Sequence, residues 1–351
     1  MSRYMRSSYQ PLVAYVPGEQ PRDMAYIKLN TNESPYPPAP QVLSAVDAGQ
    51  ISLLRLYSDP TCLALRQKIA AQAGLQPENI LISNGSDEAL NFVFMAYSEK
   101  GAAFADITYG FYPIYADLHG AKANVIPLEA DFSLDPAKYE GCEGLIVIAN
   151  PNAPTGLSIS AEDIAGILER NPDAVVAIDE AYVDFGGQTA LPLLKKYDNL
   201  LVIRTFSKSR CFAGGRLGYI AGPAELIADL EKLRCSTNPF NIDRLALVLG
   251  EATVDADDYY VEKCAEICRT RDRTAQQLRG LGLQVLPSKT NFLFVHAGAV
   301  GGRQMYLKLK KRAILVRHFP AARTTDYVRV TIGTPEQMDT FIAAVKEILE
   351  Q

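Results

Sequence analysis

From about residue 60 onward the apolar positions fall into two alternating patterns. Continuous short runs, NILIS (79–83), AAFAD (102–106), GLIVIAN (144–150), AVVAID (174–179), NLLVIRT (199–205) and GYIAG (218–222), predict strands. Between them, helical spacing appears in CLALRQKIAAQAG (62–74), EALNFVFMAYSE (88–99) and AEDIAGILERN (161–171), with Gly74 as a C-terminal stop. Strands without a polar face belong in a sheet covered on both sides. Their alternation with helices predicts an α/β domain around a mostly parallel sheet. The pattern changes at both ends. Residues 1–45 are rich in Pro, Tyr and Asn and predict an extended arm that joins a second, smaller domain. A helical stretch at about 255–281 leads to LQVLPSKTNFLFVHA, AILVRHF, YVRVTIGT and a last helix. The expected division is a large domain over 46–260 and a small α+β domain over 261–351.

Composition narrows the function. The chain has 351 residues, enough for more than one core, with 48% hydrophobic and 21% charged residues. Thirty-five basic against forty acidic side chains give a net charge of −5, which offers no footprint for nucleic acid. No run approaches the roughly 18 apolar residues of a membrane span. The opening MSRYMRSSYQ has no apolar core followed by a cleavage site, so a cytoplasmic location without membrane contact is expected. The six cysteines form no C-x-x-C pair and are expected to be reduced thiols. His119, His296 and His318 fit neither a metal site nor a Ser-His-Asp arrangement.

In sheets of this kind ligands bind beyond the carboxyl ends of the strands. After the first strand, SNGSDEAL places Gly85, Ser86 and Asp87 at the opening of a helix. Free N–H groups and a hydroxyl there form an anion cradle, unless Ser86 or Asp87 simply caps the helix. Tyr109 lies just past a strand, either covering the core edge or stacking on a flat ligand. The turn ANPNAPTG (149–156) is either structural or aims Asn152 into the crevice. Asp179 ends an apolar strand, with Tyr182 three residues on. A carboxylate beside buried apolar surface needs a partner, such as a cationic ring nitrogen or a local N–H. In RTFSKSRCFAGGRLGY (204–219), Ser207 precedes Lys208, Gly214 and Gly215 permit close approach, and Arg216 is a planar cation suited to phosphate. A lone loop lysine is ordinarily solvated. A cradle, a tyrosine, an asparagine, an Asp–Tyr pair and a Lys–Arg pair at successive strand ends match the needs of pyridoxal 5'-phosphate. That cofactor takes a lysine as a Schiff base, an acid at its ring nitrogen and donors at its phosphate.

The segments LNTNESPY, YSDPTCLALR, GSDEAL, TYGFYPIY, NPNAPTG, IDEAYVDF, TFSKSRCFAGGRLGY, TNFLF, ILVRHF and YVRVTIGT occur in this order. Over nearly its whole length the chain resembles the fold-type I pyridoxal-phosphate enzymes, specifically the histidinol-phosphate aminotransferases. The resemblance implies that Lys208 holds the internal aldimine and shuttles the proton, and that Asp179 pairs with the pyridinium nitrogen. It implies that Tyr182 donates to the ring 3-oxygen, that Tyr109 stacks on the ring, and that Gly85, Ser86, Asp87, Ser207 and Arg216 surround the phosphate. Tyr57 resembles a tyrosine that reaches the phosphate from the partner subunit, which implies a homodimer with shared active sites. Tyr15 resembles a residue that closes over the substrate phosphate from the other subunit. Arg329, with Arg317 beside it, resembles the substrate-anion arginine. One position departs: the commoner pattern is NPNNPTG, and this chain has Ala153 before PTG, so either Asn152 takes over the ring-oxygen contact or Tyr182 makes it alone.

The implied reaction is transamination between L-histidinol phosphate/imidazole acetol phosphate and 2-oxoglutarate/glutamate in histidine biosynthesis. An aromatic-amino-acid aminotransferase or a threonine-phosphate decarboxylase would share the cofactor residues. A regulator keeping the cofactor domain without turnover would bring a basic DNA-binding segment, which an acidic chain disfavours. GGRLG lacks the full dinucleotide-loop pattern.

Overall fold

A computed structural model describes residues 2–351. Strand β1 (Ile27–Lys28) lies in the arm. Seven strands follow: β2 (Ile80–Ser83), β3 (Ala102–Ala105), β4 (Ala123–Ile126), β5 (Leu145–Ala149), β6 (Val175–Asp179), β7 (Leu200–Thr205) and β8 (Gly218–Ala221). They form one sheet in the order β2-β8-β7-β6-β5-β3-β4. Strand β8 runs antiparallel to both its neighbours, and all other pairs are parallel. The carboxyl ends of β2, β5, β6 and β7 therefore share an edge with the start of β8.

The apolar runs were long enough to cover both sheet faces, and side-chain alternation divides them between two cores. Ile146, Ile148, Val176, Ile178, Leu200 and Val202 point to one side. Leu145, Val147, Ala177, Leu201 and Ile203 point to the other. Six of the seven strands agree with the runs to within a residue at each end. The exception is β4, an edge strand with three of its four residues exposed, which leaves no apolar run to read. Helix Leu63–Ala73 stops at Gly74, whose left-handed φ of +66° a residue with a Cβ adopts poorly. Helix Ala161–Arg170 begins with a reciprocal cap between Ser160 and Asp163.

The later strands are β9 (Gln284–Val285), β10 (Phe292–His296), β11 (Ile314–Leu315), β12 (Arg317–His318) and β13 (Tyr327–Thr331). Four of them make an antiparallel sheet, β12-β13-β10-β9, while β11 pairs with β1 of the arm. Helices Asp257–Gly280, Gly302–Lys311 and Pro335–Leu349 surround a separate core that includes Leu29 of the arm. The long helix serves both cores: Tyr260 packs in the first, and Ile267 and Leu278 in the second. Among the described residues no helix is long and apolar enough to cross a membrane, and no group of side chains could hold a metal ion.

Candidate active site

At the shared strand edge lies a cavity of about 340 Å³, whose wall includes Ser86, Asp87, Tyr109, Asp179, Tyr182, Ser207, Lys208 and Arg216. One end of it is built by glycine. Helix Gly85–Tyr97 starts directly after β2, with Gly85 at φ +78°. A Cβ on Gly85 would lie 2.7 Å from Arg216 Nη2, and one on Gly218 would lie 2.8 Å from the Ser86 nitrogen. Both positions need glycine so that the helix start, β8 and the Arg216 side chain can crowd together. Neither Ser86 nor Asp87 caps this helix, and the Asn84 side chain does not either. Tyr109 Oη donates to Asp87 Oδ1 at 2.7 Å, and Arg216 Nη2 donates to Asp87 Oδ2 at 3.3 Å. The result is a helix N-terminus beside an arginine and the hydroxyls of Ser86 and Ser207, which is a site for an anion of phosphate size.

Next to it, Asp179 is buried at the end of β6. Tyr112 Oη donates to its Oδ2 at 2.9 Å and the Ala181 N–H donates to its Oδ1 at 3.1 Å. Burial outweighs these donors and pushes the carboxyl up to about 6. A carboxylate held there is completed by a cation, and the aromatic N–H⁺ of a pyridine fits that need. Lys208 reaches the same space, its Nζ donating to Thr31 O at 3.4 Å. Burial and the neighbouring Arg329 charge lower its amine to about 8, so it gives up its proton more readily than an exposed lysine. Tyr182 Oη accepts from Asn32 Nδ2 at 2.9 Å, and its ring sits edge-on to Phe292.

A second cavity, of about 500 Å³, adjoins the first, and Tyr109, Ala153, Tyr182 and Lys208 belong to the walls of both. Arg317 and Arg329 face it. They are direct cross-strand partners in the β12–β13 register, an arrangement of like charges that destabilises a sheet. Arg329 Nη2 donates to Asn30 O at 3.1 Å, and Arg317 donates to the carbonyls of Val16 and Pro17 at 3.2 Å each. Arg329 Nε is buried without a partner. Among the described residues neither arginine, nor Lys208, forms an ion pair; their hydrogen-bond partners are backbone carbonyls, and Arg329 lies over the rings of Phe292 and Phe319. Two guanidinium groups without a carboxylate hydrogen-bond partner on one opening suit an anion from solution.

Residues 25–345 match the family described as aminotransferase class I and II. The chain belongs to this family. It is 47% identical over 353 residues to a histidinol-phosphate aminotransferase of Marinomonas sp. (strain MWYL1), covering 99% of this chain and 100% of that one. It is 44% identical over 351 residues to a histidinol-phosphate aminotransferase of Clostridium acetobutylicum, again covering 99% and 100%. Among solved structures, the Sinorhizobium meliloti histidinol-phosphate aminotransferase in complex with pyridoxal-5'-phosphate superimposes with a TM-score of 0.85 at 27% identity, covering 93% of this chain and 91% of that one. The aminotransferase thus has the fold-type I architecture that the resemblance of its motifs implied.

Asn152, Tyr15 and Tyr57 do not line the main cavity of this chain. Asn152 turns away from the main cavity. Its amide is engaged by Thr108 Oγ1 (2.9 Å), Ile107 O (2.9 Å) and Thr155 Oγ1 (3.0 Å), and Pro151 and Ala153 face the cavity in its stead. Asn152 therefore braces the turn and does not take over a contact in the aminotransferase cavity. Tyr15 stacks on Phe111 of its own chain with centroids 4.3 Å apart, because the carbonyls of the next two residues are held by Arg317. It lines this chain's own second cavity. Tyr57 is 78% exposed and stacks on Phe240, away from the cavity of its own chain.

The sequence reading missed Tyr112, although the segment TYGFYPIY carries it three residues after Tyr109, one helical turn on. A buried aspartate in want of a donor was the available signal. It also missed Asn30, Thr31 and Asn32, whose contacts depend on the arm folding back onto the aminotransferase core.

Proposed function

We propose that this chain catalyses transamination between L-histidinol phosphate/imidazole acetol phosphate and 2-oxoglutarate/glutamate, with pyridoxal 5'-phosphate in the cavity of Asp179 and Lys208. The carrying observation is the opposed pair Arg317 and Arg329, neither in an ion pair, beside the buried Lys208 amine. Each substrate must bring an anion, a phosphate in one case and a carboxylate in the other, and a guanidinium fork accepts both shapes.

When bound, the cofactor supplies an electron sink for the charge left on the substrate Cα after deprotonation. The chain's residues do the rest. The first turn of helix Gly85–Tyr97, with Ser86, Ser207 and Arg216, binds the cofactor phosphate, and Asp87 holds Arg216 and Tyr109 in place. Tyr109 would lie against the ring of a bound cofactor, Asp179, fixed by Tyr112, would keep its ring nitrogen protonated, and Tyr182 would donate to its 3-oxygen. Lys208 Nζ takes the proton from the substrate Cα and returns it. Arg329 and Arg317 bind the substrate anion, and the ring of Tyr15 shields them from water.

A homodimer is supported by the apolar surface around Tyr57: Leu54 is 50% exposed, Leu56 46% and Phe240 38%. A tyrosine projecting from such a patch is suited to complete a neighbour's phosphate site. The division into an arm (1–45), a large domain (46–260) and a small domain (261–351) is supported by the two cores that share helix Asp257–Gly280. Six free thiols support a reducing, cytoplasmic environment.

Following cofactor absorbance through the two half-reactions tests the reading. Histidinol phosphate and glutamate should each convert the bound cofactor to its amine form. Faster conversion by phenylalanine, or CO₂ release from threonine phosphate, would replace it with one of the rival activities. Arg329→Met should lower kcat/KM for both substrates by roughly 10- to 100-fold, the effect of losing a charged hydrogen bond worth about 1.5–3 kcal/mol. A change confined to one substrate would show that Arg317 carries the other anion by itself.

A further inference from the structure

The arm contributes two fully buried polar residues to this site, Asn30 and Asn32, and Asn32, 2% exposed, has a left-handed backbone at φ +56°. Four hydrogen bonds fix it. Its N–H donates to Thr331 Oγ1 at 3.0 Å, and Thr331 Oγ1 donates to Asn32 Oδ1 at 2.9 Å. Asn291 Nδ2 donates to Asn32 O at 3.1 Å, and Asn32 Nδ2 donates to Tyr182 Oη at 2.9 Å. In this arrangement the Thr331 hydroxyl accepts from the Asn32 backbone and gives its own proton to Oδ1, and Nδ2 faces the tyrosine. A left-handed backbone in a buried asparagine is strained local geometry retained for a contact, and the contact here is Tyr182.

A phenol has one proton to give. With its oxygen already accepting from Asn32, Tyr182 keeps that proton for another acceptor, and a donor into the oxygen strengthens the phenol as a donor in turn. The charged groups facing Tyr182 are Arg329, Asp179 and Asp87. The two preceding carbonyls of the same arm segment hold Arg329 (Asn30 O) and Lys208 (Thr31 O). One tripeptide thus contacts three site residues drawn from both cores.

We propose that Asn32 is a positioning residue for the cofactor: through Nδ2 it orients the Tyr182 hydroxyl so that its proton points at the ring 3-oxygen. The inference rests on the reading of Tyr182 given above. The test uses the full-length protein loaded with pyridoxal phosphate, and three readouts: the pH midpoint of the cofactor's visible absorbance, the cofactor dissociation constant from titration of cofactor-free protein, and the Tm of cofactor-free protein. Asn32→Gly removes the amide while relieving the left-handed backbone, and Asn32→Asp keeps the shape but draws the Tyr182 proton to itself. A 3-oxygen with a weaker donor holds its shared proton more tightly. Both variants should therefore raise the midpoint, by roughly half a unit for glycine and more for aspartate, and weaken cofactor binding about threefold. In a Tyr182→Phe background neither should move the midpoint further, because the coupling runs through the phenol. A lowered Tm with an unchanged midpoint and affinity in both variants would overturn the proposal and leave Asn32 as structural. If Tyr182→Phe alone left the midpoint unchanged, the underlying reading of Tyr182 would fail instead. A shift with Tyr182→Phe and none with the Asn32 variants would sink only the inference about Asn32.

Discussion

Lys208→Ala should lower kcat by about 10³-fold or more, because it removes both the covalent anchor and the group that moves the Cα proton, and general acid–base catalysis alone contributes about 10² to 10⁴-fold. Single-turnover absorbance measurements separate this from slow product release; fast conversion of bound cofactor in the variant would refute the assignment. The same lysine has a stability signature. In cofactor-free protein, burial lowers its amine from 10.5 to about 8, so protonation is disfavoured in the folded state. Between those values the unfolded chain binds more protons than the native one, and stability rises with pH. The penalty is fully present below about pH 8 and fades towards 10.5. Lys208→Met should therefore raise the Tm of cofactor-free protein at pH 7, with the gain shrinking in alkaline buffer. A Tm difference independent of pH would show that the amine is not penalised in the fold.

Asp179→Asn is expected to separate catalysis from stability. The carboxyl is pushed up to about 6 by burial, above its ordinary 3.8, so its ionised form is penalised in the folded protein. That contribution favours folding below about 3.8 and is lost as pH rises through 6. Without cofactor at pH 8, Asn removes the ionisation penalty and keeps the Tyr112 contact while giving up the one from the Ala181 N–H, so the Tm should hold. With cofactor the carboxylate gains a cationic partner, so the variant should bind the cofactor more weakly and lose roughly 10² to 10³-fold in kcat, the scale of a removed electrostatic contact at the reacting centre. Unchanged activity together with a lowered cofactor-free Tm would reverse the assignment.

Much of this site was legible before any coordinates, because its parts are local. Six apolar runs marked the sheet, and the polar residues closing them, Ser86, Tyr109, Asp179, Tyr182 and Lys208, became site residues through topology that strand–helix alternation already implies. The order of the motifs pointed to the same family that the comparisons identify. Where the sequence left a placement open, the deciding contact was distant. Of the two readings of Asn152, the side chain took the structural one, held by Ile107 and Thr108 on another strand's exit. Within this chain the grip of Arg317 on the two residues after Tyr15 lays that ring over the second cavity.

The sequence alone determined the strands with two apolar faces, the glycines that open the phosphate cradle, and the kinds of side chain offered at each strand end. These follow from periodicity and backbone freedom, which act over a few residues. Only the tertiary structure decided that β8 runs antiparallel, that an exposed segment becomes edge strand β4, and that Arg317 stands opposite Arg329. It alone brought Tyr112 to Asp179 across 67 positions, and Asn32 to Tyr182 across 150 and to Thr331 across 299. Such partners are chosen by how packed elements approach one another, and no local pattern in the chain records that approach.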